Sequence, residues 1–318
     1  LRKGGYIPFF VTEKKRSEQA LIQVVQEAFI KGVSTRKIDK IAKSLGIENL
    51  SASQVSEINK GLDEQVRLFR NRELQKEYPI LWIDALYEKI RNEGRVQNEA
   101  IMVVCGLNTS GEREILAIEA MECENEENYR ELFLKLKARG LENVWLAISD
   151  AHQGLKNAIR KEFIGSSWQR CKVHFMRNIL AKVNSKNKNI IASKIKHIWL
   201  QADEKDARKL AKQIMMDFEE KFPEAMQTLD EGLDDSLQFY SFCKIDHRKI
   251  SSTNMLERLN KEIRRRSKVV GVFPSEESYI RLITTYLIEY SEDWTNGKAY
   301  IKKDVVDEQR NFIINRVA

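Results

Sequence analysis

Apolar residues recur at helical spacing through the first part of the chain. Between Ser17 and Ile30 they fall at Ala20, Leu21, Val24, Val25, Ala28 and Phe29, which places them on one helix face. Gly32 breaks the run. Ser34 can cap a second helix carrying Ile38, Ile41, Ala42 and Leu45, with Gly46 at its C-terminal turn. Ser51 and Gln54 have capping-box spacing and open a third helix, and a polar helix follows through Arg72. From Pro79 the texture changes. Ile80 to Ile83, Ala100 to Leu107 and Glu114 to Ala120 read as strands, the last two joined by the turn cluster Asn108-Thr-Ser-Gly111. Asn125 to Arg139 is an amphipathic helix on Tyr129, Leu132, Phe133 and Leu136. Val144 to Ile148 is a continuous apolar run of the buried parallel kind. His152 to Phe163 reads as a helix and Trp168 to Val173 as a fifth strand. Phe175 to Phe239 is almost entirely helical in pattern, a basic helix starts near Asn254, and Ser275 to Tyr290 is amphipathic.

The order βββαβαβ predicts an α/β fold: a mixed five-stranded sheet with flanking helices. The expected division is a linker over 1–16, a helical domain over 17–73, a first part of the sheet core over 74–174, an all-helical insertion over 175–250, a second part of the core over 251–290, and a tail over 291–318. Three short helices with a tight Gly turn have the form of a helix-turn-helix unit, whose third helix would present Ser53, Gln54, Glu57 and Lys60 to DNA. A small helical bundle with no DNA role fits the pattern equally well. The chain opens at Leu1 on a basic, Gly-containing stretch, and is expected to begin partway into a longer protein.

Three carboxylates stand out against this pattern. Asp84 interrupts the run ILWIDALYEKI, Asp150 ends WLAISDAHQGL, and Glu257 lies in the first turn of STNMLERLNKEIRRR. Asp is depleted in strands, and burying an unpaired carboxylate is costly, so Asp84 has the poorest structural excuse. Asp150 could be the N-cap of the next helix. Asn254 and Glu257 have capping-box spacing, with Glu257 at N3. Three acidic oxygen donors meeting at one point would hold hard divalent cations.

Charge sharpens this. Lys and Arg total 54 against 47 Asp and Glu, a net of +7, a modest excess. Its distribution says more: Arg258, Lys261, Arg264, Arg265, Arg266 and Lys268 form a basic stripe beginning one residue from Glu257. A charge run is usually a solvated face, but one that starts beside a candidate catalytic acid suits phosphate contact. Cys105, Cys123, Cys171 and Cys243 are scattered and fit reduced thiols in the cytoplasm. No apolar stretch is long enough to cross a bilayer.

The element order, with acids on strand one, after strand four and on a late helix, resembles the ribonuclease-H-like fold. The words WIDALYEKIR, WLAISDAHQGLKNAI, WQRCKVHFMRNIL and STNMLERLNKEIRRR followed by FPSEESYIRL resemble bacterial insertion-sequence transposases of the Mutator-like superfamily, in the same order. GVSTRKIDKIAKSLGIENLSASQVSEI resembles their N-terminal DNA-binding region. The resemblance covers residues 5 to 290.

It implies a DDE transposase: a magnesium-dependent enzyme that binds the terminal inverted repeats of its element, cleaves there and transfers strands. Asp84, Asp150 and Glu257 match the catalytic and metal-binding acids. Two Mg²⁺ ions would serve them, with Mn²⁺ able to substitute. Cys171 and His174 match the family's C-x-x-H signature. Two such ligands do not make a tetrahedral zinc site. His174 is read as beside the active centre, on a phosphate or a carboxylate, and Cys171 as a packed thiol. Arg258, Lys261, Arg264, Arg265, Ser53, Gln54 and Lys60 are the expected DNA contacts. Trp199 could stack on a base but more simply belongs to the core. The expected partners are double-stranded DNA and a second copy of the chain, with no membrane and no small-molecule cofactor, in a bacterial, nucleoid-associated setting. Two alternatives remain open: a non-catalytic DNA-binding regulator and a ribonuclease-H-like nuclease.

Overall fold

The computed structural model of the chain describes residues 9–44, 50–92, 94–295 and 297–317. Two compact units emerge. One comprises Leu1–Arg72, Glu88–Asn98 and Lys261–Tyr290; the other comprises Glu73–Tyr87, Glu99–Asn260 and Ser291–Ala318.

The second unit holds most of a five-stranded mixed sheet. Its strands are β1 (Ile80–Asn92), β2 (Arg95–Leu107), β3 (Arg113–Met121), β4 (Leu146–Ser149) and β5 (Ser167–Arg170), in the order β3-β2-β1-β4-β5. β2 and β3 pair antiparallel, while β1–β4 and β4–β5 are parallel. β4 is buried at all four positions, which is why Leu146, Ala147 and Ile148 extend an apolar run before Ser149 ends it. Leu81, Ile83, Met102, Val104 and Ala147 point to one sheet face. There they pack with Tyr129, Leu132, Phe133 and Leu136 of the next helix and with Leu155 and Ile159 of the one after it. The first of these two helices spans Glu126–Ala138 and the second Gln153–Glu162.

The opposite face carries Trp82, whose indole N–H donates to the Lys249 carbonyl at 3.3 Å and whose ring meets Tyr300 edge-on at 5.7 Å. The helical block expected after the sheet is present: helices at Lys172–Ala181, Lys188–Lys196, Glu204–Phe218 and Pro223–Ser236, with short 3₁₀ turns at His197–Leu200 and Gln238–Ser241. Trp199 is buried there, its N–H donating to Ser236 Oγ at 3.1 Å, so it is core. The block docks on β5 through Gln169, which donates to the Ser236 carbonyl at 2.9 Å and accepts from the Phe239 N–H at 2.8 Å.

In the other unit, helices Phe9–Ile30, Thr35–Ser44 and Ala52–Lys60 enclose a small core of Val25, Ala28, Ile38, Ala42, Leu50 and Val55. Ser51 caps the third helix in a reciprocal box with Gln54, at 3.2 and 2.8 Å. A fourth helix, Asp63–Asn71, follows. Arg281, almost fully buried, forks onto Asp63 at 2.5 and 2.9 Å, an ion pair that satisfies a guanidinium otherwise costly to bury.

Several boundaries differ from the sequence expectation. The first helix starts at Phe9, inside the expected linker. The expected helix end at Leu45 and Gly46 and the opening residues 1–8 lie outside the described residues. β1 runs on to Asn92 because Leu86 and Ile90 alternate with exposed Tyr87, Lys89 and Arg91, a half-buried strand pattern. β5 stops at Arg170, and Val173 belongs to the helix that starts at Lys172.

The turn between β2 and β3 rests on Gly111, with φ +82° and a Cβ position that would overlap the Ile301 carbonyl oxygen. Gly111→Ala is expected to cost more than about 2 kcal/mol, conformational strain plus the clash. Gly94→Ala, at φ +80° with open space around it, should cost about 1 kcal/mol. Denaturant titration of both variants checks the difference.

Candidate active site

The parallel register pairs Trp82 with Ile148. Two residues further along each strand stand Asp84 and Asp150. An even offset keeps both on the face that carries Trp82, away from the core beneath the sheet. Asp84 is therefore held within a strand, and Asp150 just past the carboxyl end of its neighbour. Asp150 Oδ1 accepts the His152 N–H at 3.3 Å, so it caps the turn leading into the next helix without spending its second oxygen.

Glu257 comes from the helix Asn254–Ser267. That helix starts at Asn254, and the Glu257 N–H donates to the Thr253 carbonyl at 3.0 Å. Glu257 thus lies one position beyond N3, a correction to the capping-box expectation. Its carboxylate faces outward to the neighbouring helix, where Arg177 Nη2 lies 2.9 Å and His174 Nε2 3.6 Å from Oε1. The Arg177 contact is an ion pair lacking hydrogen-bond alignment, since Oε1 has no hydrogen-bond partner. One turn past Glu257, Asn260 donates through Nδ2 to Asp84 Oδ2 at 2.6 Å.

The electrostatics join these groups. Burial pushes the Asp84 carboxyl up to about 7; His174 opposes this and the charges of Asp150 and Glu257 add to it. His174 is raised to about 9, first by its hydrogen bond with Cys171 and, against the effect of burial, by the charges of Cys171, Asp84 and Asp150. The three sequence-predicted acids and His174 therefore share one electrostatic neighbourhood. Among the described residues, no three His, Cys, Asp or Glu side chains already converge on one metal position.

A model of the family described as "Transposase, Mutator family" matches residues 1–297 of this chain. The transposase for insertion sequence element IS256 in transposon Tn4001 of Staphylococcus aureus is 38% identical over 95% of this chain and 78% of its own length. The transposase for ISRM5 of Rhizobium meliloti is 34% identical over 100% and 80%. The transposase for IS1081 of Mycobacterium tuberculosis is 37% identical over 98% and 75%.

The chain belongs to the Mutator family of transposases. The solved Drosophila P element transposase strand transfer complex aligns with 90% of this chain and 82% of its own. Its TM-score of 0.36 at 10% identity is too loose a match to add to the fold described above.

Cys171 and His174 divide their work. Cys171 is fully buried, and its sulfur accepts from both the N–H and the hydroxyl of Thr253 at 3.3 Å. It pins the residue just before the Glu257 helix. Burial raises the thiol, but hydrogen bonds from His174 and Thr253 outweigh that and leave it below its ordinary value. His174, one turn on, faces Glu257. Sequence reading missed Asn260 and Arg177. The signal for each was an i, i+3 spacing, Asn260 from Glu257 and Arg177 from His174. It also missed Glu124, which accepts the hydroxyls of Tyr87 and Tyr129 and lies 3.9 Å from His152 Nε2.

The expected DNA contacts sort into two groups. Arg258, Lys261, Arg264 and Arg265 are exposed along one helix, though Arg265 pairs with Glu262 at 3.1 Å. Arg266 turns inward, 3.7 Å over the Tyr286 ring. Ser53, Gln54 and Lys60 are exposed on the third helix. Gln54, however, is committed to its helix cap, and Lys60 pairs with Glu57 at 2.8 Å. Among the described residues, no helix is long and apolar enough to cross a membrane.

Proposed function

We propose that this transposase binds the inverted ends of its own element, cleaves a strand there and joins the freed 3′ end to target DNA. In this reading Asp84, Asp150 and Glu257 act together on a ribonuclease-H-like core. The observation that carries it is the parallel β1–β4 register that brings Asp84 on β1 and Asp150, just past the end of β4, to one sheet face, with Asn260 linking Asp84 to the Glu257 helix.

The donor set fits a hard divalent cation. Three carboxylates share one neighbourhood, burial first and then the charges of the other two hold Asp84 above its ordinary range, and the Asn260 amide oxygen beside it is buried with no partner among the described residues. Asp84, Asp150 and Glu257 would hold Mg²⁺ or Mn²⁺, which supplies Lewis-acid activation of the attacking oxygen and charge stabilisation of the leaving one.

The protein's own groups do the rest. Asn260 orients the Asp84 carboxylate. Arg177 and protonated His174 form a cationic flank to Glu257 where a scissile phosphate would be drawn in. The exposed Arg258, Lys261 and Arg264 hold phosphates along the duplex. In cutting, water attacks phosphorus and the 3′ oxygen leaves; in joining, that 3′ hydroxyl attacks target phosphorus and another 3′ oxygen leaves, so one centre serves both steps. Bringing two ends together calls for two copies of the chain.

The test is cleavage and joining on labelled duplexes carrying the element's own ends, with Mg²⁺, with Mn²⁺ and with EDTA. Joined products in either metal and none in EDTA are expected. Products that persist in EDTA would overturn the metal assignment, and cleavage without joining would favour a nuclease.

A further inference from the structure

A cavity of about 290 Å³ opens in the unit that contains the N-terminal helices. Its walls include Phe29, Val55, Val270 and Phe273, with Asn59 and Arg281 as polar members. That volume is at the lower end for small-molecule sites, so it suits one small planar group rather than an extended ligand. Arg281 is already spent on Asp63. Asn59 is different: only 2% of it is exposed, and its side-chain oxygen is buried with no hydrogen-bond partner. An unpaired buried acceptor is expensive, and a donor on a ligand would satisfy it.

The mouth points to what that ligand is. Val269, Val270 and Val272 are 46%, 41% and 38% exposed, consecutive large apolar residues around Gly271. Gly271 has φ +81° and open space at its Cβ position, so this is a protruding loop tip. It follows directly on exposed Arg264, Arg265 and Lys268. Apolar side chains presented beside guanidinium and ammonium groups match a nucleic acid, whose phosphates meet the cations while the bases meet the valines.

We propose that this cavity receives a single nucleobase turned out of the DNA stack. The base would lie among Phe29, Val55 and Phe273. An exocyclic amine or ring N–H would donate to Asn59, and the Val269–Val272 tip would fill the gap left in the stack. Flipped bases are held in this manner, by apolar or aromatic walls and hydrogen bonds to the base edge. The proposal rests on the DNA-processing reading above and adds a second DNA site to it, separate from Asp84, Asp150 and Glu257.

The experiment is a binding scan on duplexes of the element's own end, each carrying one mismatch at a successive position. A mismatch removes the cost of unpairing the base to be flipped. One position should therefore bind about tenfold more tightly than the paired duplex, and 2-aminopurine placed there should brighten on binding. Asn59→Leu removes the acceptor, and Ser56→Trp, an exposed wall position, plugs the mouth. Both should erase the mismatch gain. Asn59→Leu is expected to melt no lower than wild type, since it deletes an unsatisfied polar atom. No preferred position, or a gain that survives both variants, overturns the cavity proposal alone. Failure to bind any end duplex would overturn the DNA-processing reading with it.

Discussion

Replacing Asp150 by Asn is expected to abolish strand joining, by at least about a thousandfold, while end-DNA binding stays within about twofold of wild type. The substitution removes one charge and keeps the shape. Asp150 accepts the His152 N–H through Oδ1, and an amide oxygen can accept the same bond, so the turn into the next helix survives. In the proposed function what is lost is a carboxylate that acts on charge developing at the phosphate, where deletion of one electrostatic partner removes two to three orders of magnitude or more. In the proposed function DNA is held by other groups, the exposed arginines and lysines, so binding should persist. Gel analysis of joined products next to a binding titration makes the comparison. Joining at the wild-type rate would remove Asp150 from the site.

The second large effect concerns stability, and its direction is counterintuitive. Asp84→Asn should make the metal-free protein more stable at neutral pH while eliminating activity. The folded-state carboxyl is raised from 3.8 to about 7, so between those values the folded protein holds a proton that the unfolded chain has released. Folding is then weakened as pH rises through that window, and the penalty is complete above pH 7. A shift of this size carries on the order of 4 kcal/mol in full. Asp84 is partly exposed, so about 2 kcal/mol is the expected gain for the Asn variant, and the Asn260 bond to the side-chain oxygen is retained. Thermal melts from pH 4.5 to 8 provide the check. The wild type should lose stability relative to Asp84→Asn as pH rises, and added Mg²⁺ should stabilise the wild type alone. Parallel pH curves for the two proteins would refute the burial of charge at Asp84.

Some of this architecture is written locally in the sequence. The run Val144–Ile148 that leads through β4 is apolar at every position because both faces of the strand are covered, and the Ser51–Gln54 box is a contact between near neighbours. Asp84 was conspicuous because an apolar strand gives no reason for an acid. Other features needed the folded chain. The far half of β1 escaped notice because half-buried strands alternate Leu86 and Ile90 with Tyr87 and Lys89, which dilutes the apolar signal. Asn260 looked like any polar residue on a basic helix; its meaning comes from a strand 176 positions away. Gln54 carried two readings, a DNA contact and a cap, and its geometry serves the cap. The division into two units cuts across continuous elements, β1 and the Glu257 helix among them, so no change in composition marks it.

The Lys172 N–H donates to the Ser251 carbonyl at 3.1 Å, beside the bonds from Thr253 to Cys171. The helical block thus departs from the sheet and returns to it at one stitched point. A chain excursion closed in this way can lengthen at little thermodynamic expense, about 0.6 kcal/mol for each doubling. Selection could therefore enlarge, trim or resurface that block over evolutionary time while the helix bearing Glu257 stayed tied to Asp84 through Asn260, so that new surfaces arise without disturbing that link.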